Sequence, residues 1–215
     1  MKGGRSLNNT GPSSFKLPDG IEVGDLTGIE EGYSEYEINT GYHHFQINVS
    51  ADHIPTYFLA LLQQVVEPGF FLVELGLNMQ EERSLRQNET DPFHKGVYYL
   101  DGINNQRAKA IFLKYQRLFV HDGMLNFGFG SLRGHDEVFV GDYKVFEIYA
   151  DAPDKYRRAL KDLGIPWNRE LRTVWQNITQ TSPGRRTALK EEPNIWDMLD
   201  QLKRIGLYLA ETREE

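Results

Sequence analysis

The amino-acid sequence predicts an α+β fold: a two-layer sandwich with helices on one face of a mostly antiparallel sheet, built around two strand-strand-helix units and extended by C-terminal helices. Three observations lead there. Several segments alternate apolar and polar residues with the period of a half-buried strand, and Glu35 to Ile38 and Tyr42 to Val49 are the first. Others repeat apolar residues every three or four positions, as one helical face does. Third, Tyr42-x-x-Phe45-x-Ile47-x-Val49-Ser50-Ala51 aligns without a gap on Tyr143-x-x-Phe146-x-Ile148-x-Ala150-Asp151-Ala152. Either a duplication or the shared demands of an amphipathic strand running into a capped helix produces that match. In both cases each unit has one apolar sheet face and one apolar helix stripe, which bury most simply against each other.

Taken in order, residues 1 to 20 mix Gly, Ser, Asn and Pro with little apolar content and are expected to be a flexible tail. An α+β domain is expected from 21 to 165, and a helical extension packed on it from 166 to 215. Asn39-Thr40-Gly41 turns the first strand into the second. Ile54, Tyr57, Phe58, Leu61, Leu62, Val65 and Val66 then mark a helix with Pro55 in its first turn, ended by Pro68-Gly69. Phe70 to Gly76 is a nearly continuous apolar strand, suited to a central position. A short helix and a polar loop fill 78 to 96, followed by the apolar piece Val97 to Leu100. Next comes a helix capped by Asp101 or Asn104, with Ala108, Ile111, Phe112, Tyr115 and Leu118 or Phe119 on its buried face.

Two long strands are expected next, Met124 to Ser131 and Glu137 to Ala150, joined by the polar loop Leu132 to Asp136. The first contains Phe127-Gly128-Phe129-Gly130, which puts large aromatics on one face and no side chain on the other. Asp151, Pro153 and the stripe Tyr156, Ala159, Leu160, Leu163 define another helix, stopped by Gly164 and Pro166. Two more are expected, one from Asn168 through Leu171, Val174, Trp175 and Ile178, and one from Asn194 through Ile195, Met198, Leu199, Leu202, Ile205 and Leu209.

Composition narrows the function. The 215 residues carry a net charge of −7 and no cysteine, so disulfides, thiolate zinc sites and a cysteine nucleophile are excluded. Phosphate contacts need a dense field of Lys and Arg, so nucleic acid is not the expected partner. The longest apolar run, Tyr57 to Leu62, is far short of the roughly 20 residues that span a bilayer, and the N-terminus lacks a signal-like apolar stretch. The expectation is a cytoplasmic protein without a membrane segment.

No catalytic motif is present: there is no glycine loop entering a helix, no Gly-x-Ser-x-Gly, and no His pair at metal-ligand spacing. Neither catalytic residues, metal ligands nor a cofactor are assigned. His121-Asp122 and His135-Asp136-Glu137 could form a His/Asp/Glu cluster for a metal-dependent hydrolase or small-molecule site, although Asp at turns is common for backbone reasons alone. Glu74 and Glu147 each interrupt an apolar strand; a water-facing sheet side explains them, and a tuned acid in an apolar pocket is the functional alternative. The helix with Arg107, Lys109, Lys114 and Arg117, and the Arg185-Arg186 loop, read first as solvated faces and second as receivers of a partner's carboxylates. For the bare face at Gly128 and Gly130, packing of a helix across it is the simpler account. A groove rimmed by Asn126, His135 and Asp136 is the other. The candidate binding residues are therefore Asn126, Gly128, Gly130, His135, Asp136 and Glu147. The expected function is non-enzymatic binding of a protein partner, a basic one by charge, as an inhibitor, adaptor or immunity-type protein would do.

Overall fold

The computed structural model describes residues 15–214. Its strands are β1 (Ile21–Glu22), β2 (Gly32–Asn39), β3 (Tyr42–Asn48), β4 (Gly69–Gly76), β5 (His94–Ile103), β6 (Asn126–Ser131), β7 (Glu137–Val140), β8 (Phe146–Ala150), β9 (Arg185–Arg186) and β10 (Tyr208–Glu214). Its α-helices are α1 (Ile54–Leu62), α2 (Met79–Leu85), α3 (Asn105–Lys114), α4 (Gln116–His121), α5 (Pro153–Asp162) and α6 (Ile195–Lys203). Eight strands form one antiparallel sheet in the order β10-β5-β4-β6-β7-β8-β3-β2, and β1 pairs with β9 beside it. The α+β class read from the sequence is the class observed. Among the described residues no helix is long and apolar enough to cross a membrane.

One sheet face is apolar and carries the helices. Phe127 and Phe129 of β6 point into it, and Phe127 meets Phe58 of α1 and Phe119 of α4 with ring centroids 4.8 Å apart in both cases. Phe112 of α3 and Phe71 of β4 complete this aromatic centre. Burying each such ring stabilises the fold by ~1.5–3 kcal/mol, so the β6 phenylalanines anchor the core. Ile195, Met198, Leu199 and Leu202 of α6 join the same core.

Toward the β2 edge of the sheet β3 pairs with β8, where Phe45 faces Ile148, Gln46 faces Glu147 and Ile47 faces Phe146. These are the residues that the internal alignment matches, and the helices that follow the two strands, α1 and α5, lie in contact.

Several expectations need correction. The strand expected from Glu137 to Ala150 is a hairpin: β7 and β8 pair with each other, and a single 3-10 turn, Asp142–Lys144, separates them. Tyr143 and Lys144 both have φ near 58°, a left-handed conformation uncommon for such residues, so the turn lacks the Asn-Gly signature that announces most hairpins. Val145 and, packed against it, Tyr143 join a small second cluster with Phe15, Ile29 and Val174. The helix expected from Asn168 reduces to a 3-10 segment, Val174–Asn177, and the last helix stops at Lys203 before the chain returns as β10. The stretch after 166 therefore adds a strand to the main sheet as well as packing on it.

The tail expected over 1–20 lies outside the described residues as far as residue 14. Residues 15–20 are fixed: Phe15 is buried, and the Gly20 carbonyl accepts from Thr187 N while Gly20 N donates to the His121 carbonyl. A Cβ at Gly123 would lie 2.1 Å from the Gly20 carbonyl oxygen, so this crossing of three chain segments demands glycine.

Candidate functional site

The second face of the sheet carries no α-helix of the core, and it gathers the polar groups that the strands alternate outward. By register, one row across it reads Tyr99, Leu72, Gly128, Phe139, Glu147 and Gln46; the next reads Asp101, Phe70, Gly130, Glu137, Tyr149, His44 and Tyr36. The two glycines are not empty. A Cβ on Gly130 would come 2.3 Å from the Phe70 ring, and one on Gly128 would come 2.8 Å from the Val138 carbonyl and 3.2 Å from the Phe139 ring. Rings from the neighbouring strands β4 and β7 lie over the bare positions, which corrects the expectation of a helix packed across them. Gly128 and Gly130 thus set the depth of two hollows on either side.

The first hollow, about 290 Å³, is lined by Tyr42, Phe70, Ser131, Gly134, His135, Asp136, Glu137 and Tyr149. The loop after β6 shapes its rim: the Ser131 hydroxyl accepts from Arg133 N and Gly134 N, each at 3.0 Å, and Ser131 N donates to the Asp136 carbonyl at 2.8 Å. The Tyr42 hydroxyl donates to the His135 carbonyl at 3.2 Å, and the Tyr42 ring stacks on Tyr149 at 6.4 Å. Asp136 is only 3% exposed; its Oδ2 takes a hydrogen bond from Lys155 of α5 and its Oδ1 has no partner. Burial pushes its carboxyl up despite Lys155.

Glu137 makes no hydrogen bond or ion pair among the described residues. Burial pushes its carboxyl up, and the charge of Glu74 and, more weakly, that of Glu147 push it further, against a smaller opposing effect of Arg213. The Tyr42 hydroxyl is also shifted up, by burial and then by Glu137, Asp136 and Asp151. The hollow is a region of negative potential with aromatic walls.

The second hollow, about 220 Å³, is lined by Glu74, Lys95, Asn126, Phe139, Gly141, Asp142, Val145, Glu147 and Trp175. Asn126 is 4% exposed, donates to Asp142 Oδ1 at 2.8 Å and leaves its own Oδ1 unpartnered. Burial would raise the Asp142 carboxyl, but Asn126, Arg186 and Lys95 outweigh it and hold the group below its ordinary range. Glu147 is held low chiefly by the neighbouring His44, whose Nε2 lies 3.8 Å from its Oε2, and accepts from the Tyr149 hydroxyl at 3.1 Å. His44 is itself 5% exposed and sits between the rings of Tyr36 and Tyr149. His43 points the other way, 2.8 Å from Glu35, as neighbours on a strand must.

Of the six sequence candidates, Asn126 and Glu147 line one hollow, His135 and Asp136 the other, and Gly128 and Gly130 lie beneath the rings of Phe139 and Phe70 that help to line them. The His/Asp/Glu grouping of 121–137 is not gathered: His121 ends α4 beside Asp19, 3.4 Å away, while Asp122 is buried under backbone donors from Met124 and Leu189. Among the described residues no three His, Asp or Glu side chains are placed to share a metal ion. The basic helix is partly engaged as well, since Arg117 pairs with Glu191 and Asp19 and Lys114 reaches Gln201. Sequence reading missed the aromatic contributors Tyr42, Phe70 and Phe139 and the ligand-like role of Asp142. Gly141-Asp142 was the available signal for the turn that places Asp142.

No family model, curated protein or solved structure matches the chain.

Proposed function

We infer that this protein binds a macromolecular partner, and that a basic segment of that partner lies across the open face of the sheet. The observation that carries this reading is Glu137, a half-buried carboxylate with no cation of its own, facing the same surface as Glu74 and Glu147 and ringed by tyrosines. An unpaired carboxylate in such a place costs stability in the free protein. A partner's Lys or Arg would relieve that cost, and tyrosine rings add cation–π attraction. The net charge of −7 steers a basic partner toward the protein but does not choose the face; the face is chosen by the three glutamates.

The test is a peptide array graded in net charge, probed with the full chain and with an E74Q/E137Q/E147Q variant. Retention should rise with peptide positive charge, fall with salt and drop at least tenfold in the variant. Equal retention of the same peptides by both proteins would sink this reading.

A further inference from the structure

We propose that the hollow between Tyr42, Tyr149, Asp136 and Glu137 is an anchor pocket for a single arginine side chain. The inference rests on the binding function above and names the group that this part of the face takes.

The pocket is a built feature rather than a patch of surface acids. Its rim is a hydrogen-bonded turn closed on the Ser131 hydroxyl, and the Phe70 ring, laid over Gly130, forms one wall. At about 290 Å³ it is sized for a side chain and not for a chain segment. Two acceptors in it lack donors. Asp136 Oδ1 belongs to a residue 97% buried, and among the described residues the hydrogen bond to that carboxylate goes to the other oxygen, from Lys155. The second is the carboxylate of Glu137.

The charges around the pocket do not cancel. Lys155 offsets Asp136, and Arg213, which is paired with Glu74, only partly offsets Glu137, so with the nearby Asp151 the balance stays negative and a cation is favoured over a neutral or anionic group. The rings then select among cations. Tyr42 and Tyr149 are within 24° of parallel, and His135 stands edge-on to Tyr42 at 86°, giving flat walls along one direction. A guanidinium is planar, weakly hydrated and donates from several nitrogens in a fixed fork, so it can lie along such a wall while donating through two nitrogens to the Glu137 carboxylate. An ammonium offers a compact, strongly hydrated charge and gains less from the same walls.

The full chain, labelled with nitrogen-15, would be titrated with N-acetyl-arginine methylamide and separately with the citrulline analogue, which keeps the shape and lacks the charge. Saturable shifts are expected for residues 131–137 and for Tyr42 and Tyr149, with binding at least tenfold weaker for citrulline. E137Q, checked by its dispersed spectrum, should weaken the arginine probe at least tenfold as well. Should E137Q misfold, Tyr42→Ala supplies the second variant, and the citrulline comparison needs no variant. Equal binding of the two probes, shifts elsewhere only, or no saturable shift would overturn the assignment. If the arginine probe is ignored while basic peptides still bind through Glu74 and Glu147, the pocket falls and the binding function stands. If the probe binds but no basic peptide does, the function falls and the pocket stands.

Discussion

Strand β6 offers a comparison within six residues: toward the helices it presents Phe127 and Phe129, both fully buried, and toward the other side it presents Asn126, Gly128 and Gly130. On the helix side the neighbours are apolar except for the buried Lys144, and rings from three helices, those of Phe58, Phe112 and Phe119, close on Phe127. On the open side the same sheet carries carboxylates, a histidine without a hydrogen-bond partner and several tyrosines. A face that served packing alone would not need Glu137 unpaired or the acceptors of Asn126 and Asp136 unsatisfied. Stability is thus invested on one face, and polar groups awaiting partners collect on the other.

Breaking this contrast should be easiest from the core. Phe127→Ala removes the ring at the centre of the aromatic cluster and should cost ~3–5 kcal/mol, measured by denaturant unfolding, with no selective effect on ligand affinity in the fraction that remains folded.

Lys144 comes next, because it is where the open-face hairpin turns inward: it is 3% exposed, hydrogen-bonded to the Leu125 carbonyl, and its Nζ lies 5.6 Å from the Phe127 ring centre. Burial lowers its pKa to about 7, although Asp122 and Asp142 pull it upward. The unfolded chain holds this proton up to about pH 10.4 and the folded chain loses it near 7, so folding releases a proton between those values. Stability contributed by this group is therefore lost as pH falls toward 7 and gained as it rises toward 10. A Lys144→Met variant should lack this slope, making the difference in stability between wild type and variant change by on the order of 2–4 kcal/mol over that range.

The glycines sharpen the contrast on the open side. Gly128→Ala pushes a methyl against the backbone carbonyl of Val138 and should cost ~1–3 kcal/mol. Gly130→Ala meets only the end of the half-buried Phe70 ring, which can swing aside, and should cost less; thermal midpoints would rank the two. The smallest effect belongs to Glu137→Gln. The Glu137 carboxyl is raised in the folded state, so its contribution to stability is present in acid and lost as pH rises, and removing the charge should stabilise the protein at neutral pH by on the order of 1 kcal/mol. That gain, together with weaker binding of a basic ligand, would separate the two faces more sharply than any core substitution; a loss of stability would argue that Glu137 has a structural partner.

Much of the architecture was legible because it is written in local periodicity. The apolar stripe expected from Ile54 to Val66 is α1 as far as Leu62, the run from Phe70 to Gly76 is β4 but for its first residue, and the stripe Tyr156, Ala159, Leu160, Leu163 lies along α5 and its end. What stayed hidden depends on contacts distant in sequence. The β7–β8 turn uses two left-handed residues that no side-chain rule favours, and β10 is called a strand by its pairing with β5, not by its own sequence, which reads as a helix continuing through Ile205 and Leu209. The candidate site was half legible. Its polar members stood out against apolar strands, whereas its aromatic walls come from four separated strands that only register brings together.

The β3–β8 pairing has a temporal consequence. Each of its contacts, such as Phe45 with Ile148, closes a loop of about 100 residues, an entropic cost that must be met before the β2–β3 hairpin joins the rest of the sheet. During synthesis at roughly 5–20 residues per second, the β2–β3 hairpin and α1 emerge on the order of 5–20 seconds before β8. For that interval β3 lacks its β8 partner, with Phe45 and Ile47 on one side, and α1 and the Tyr33 ring of β2, 6.2 Å from that of Phe45, are at hand to shield them. The first unit therefore has to be a tolerable intermediate in its own right, and substitutions that loosen α1 from β3 should show up in soluble yield before they show up in the stability of the finished protein.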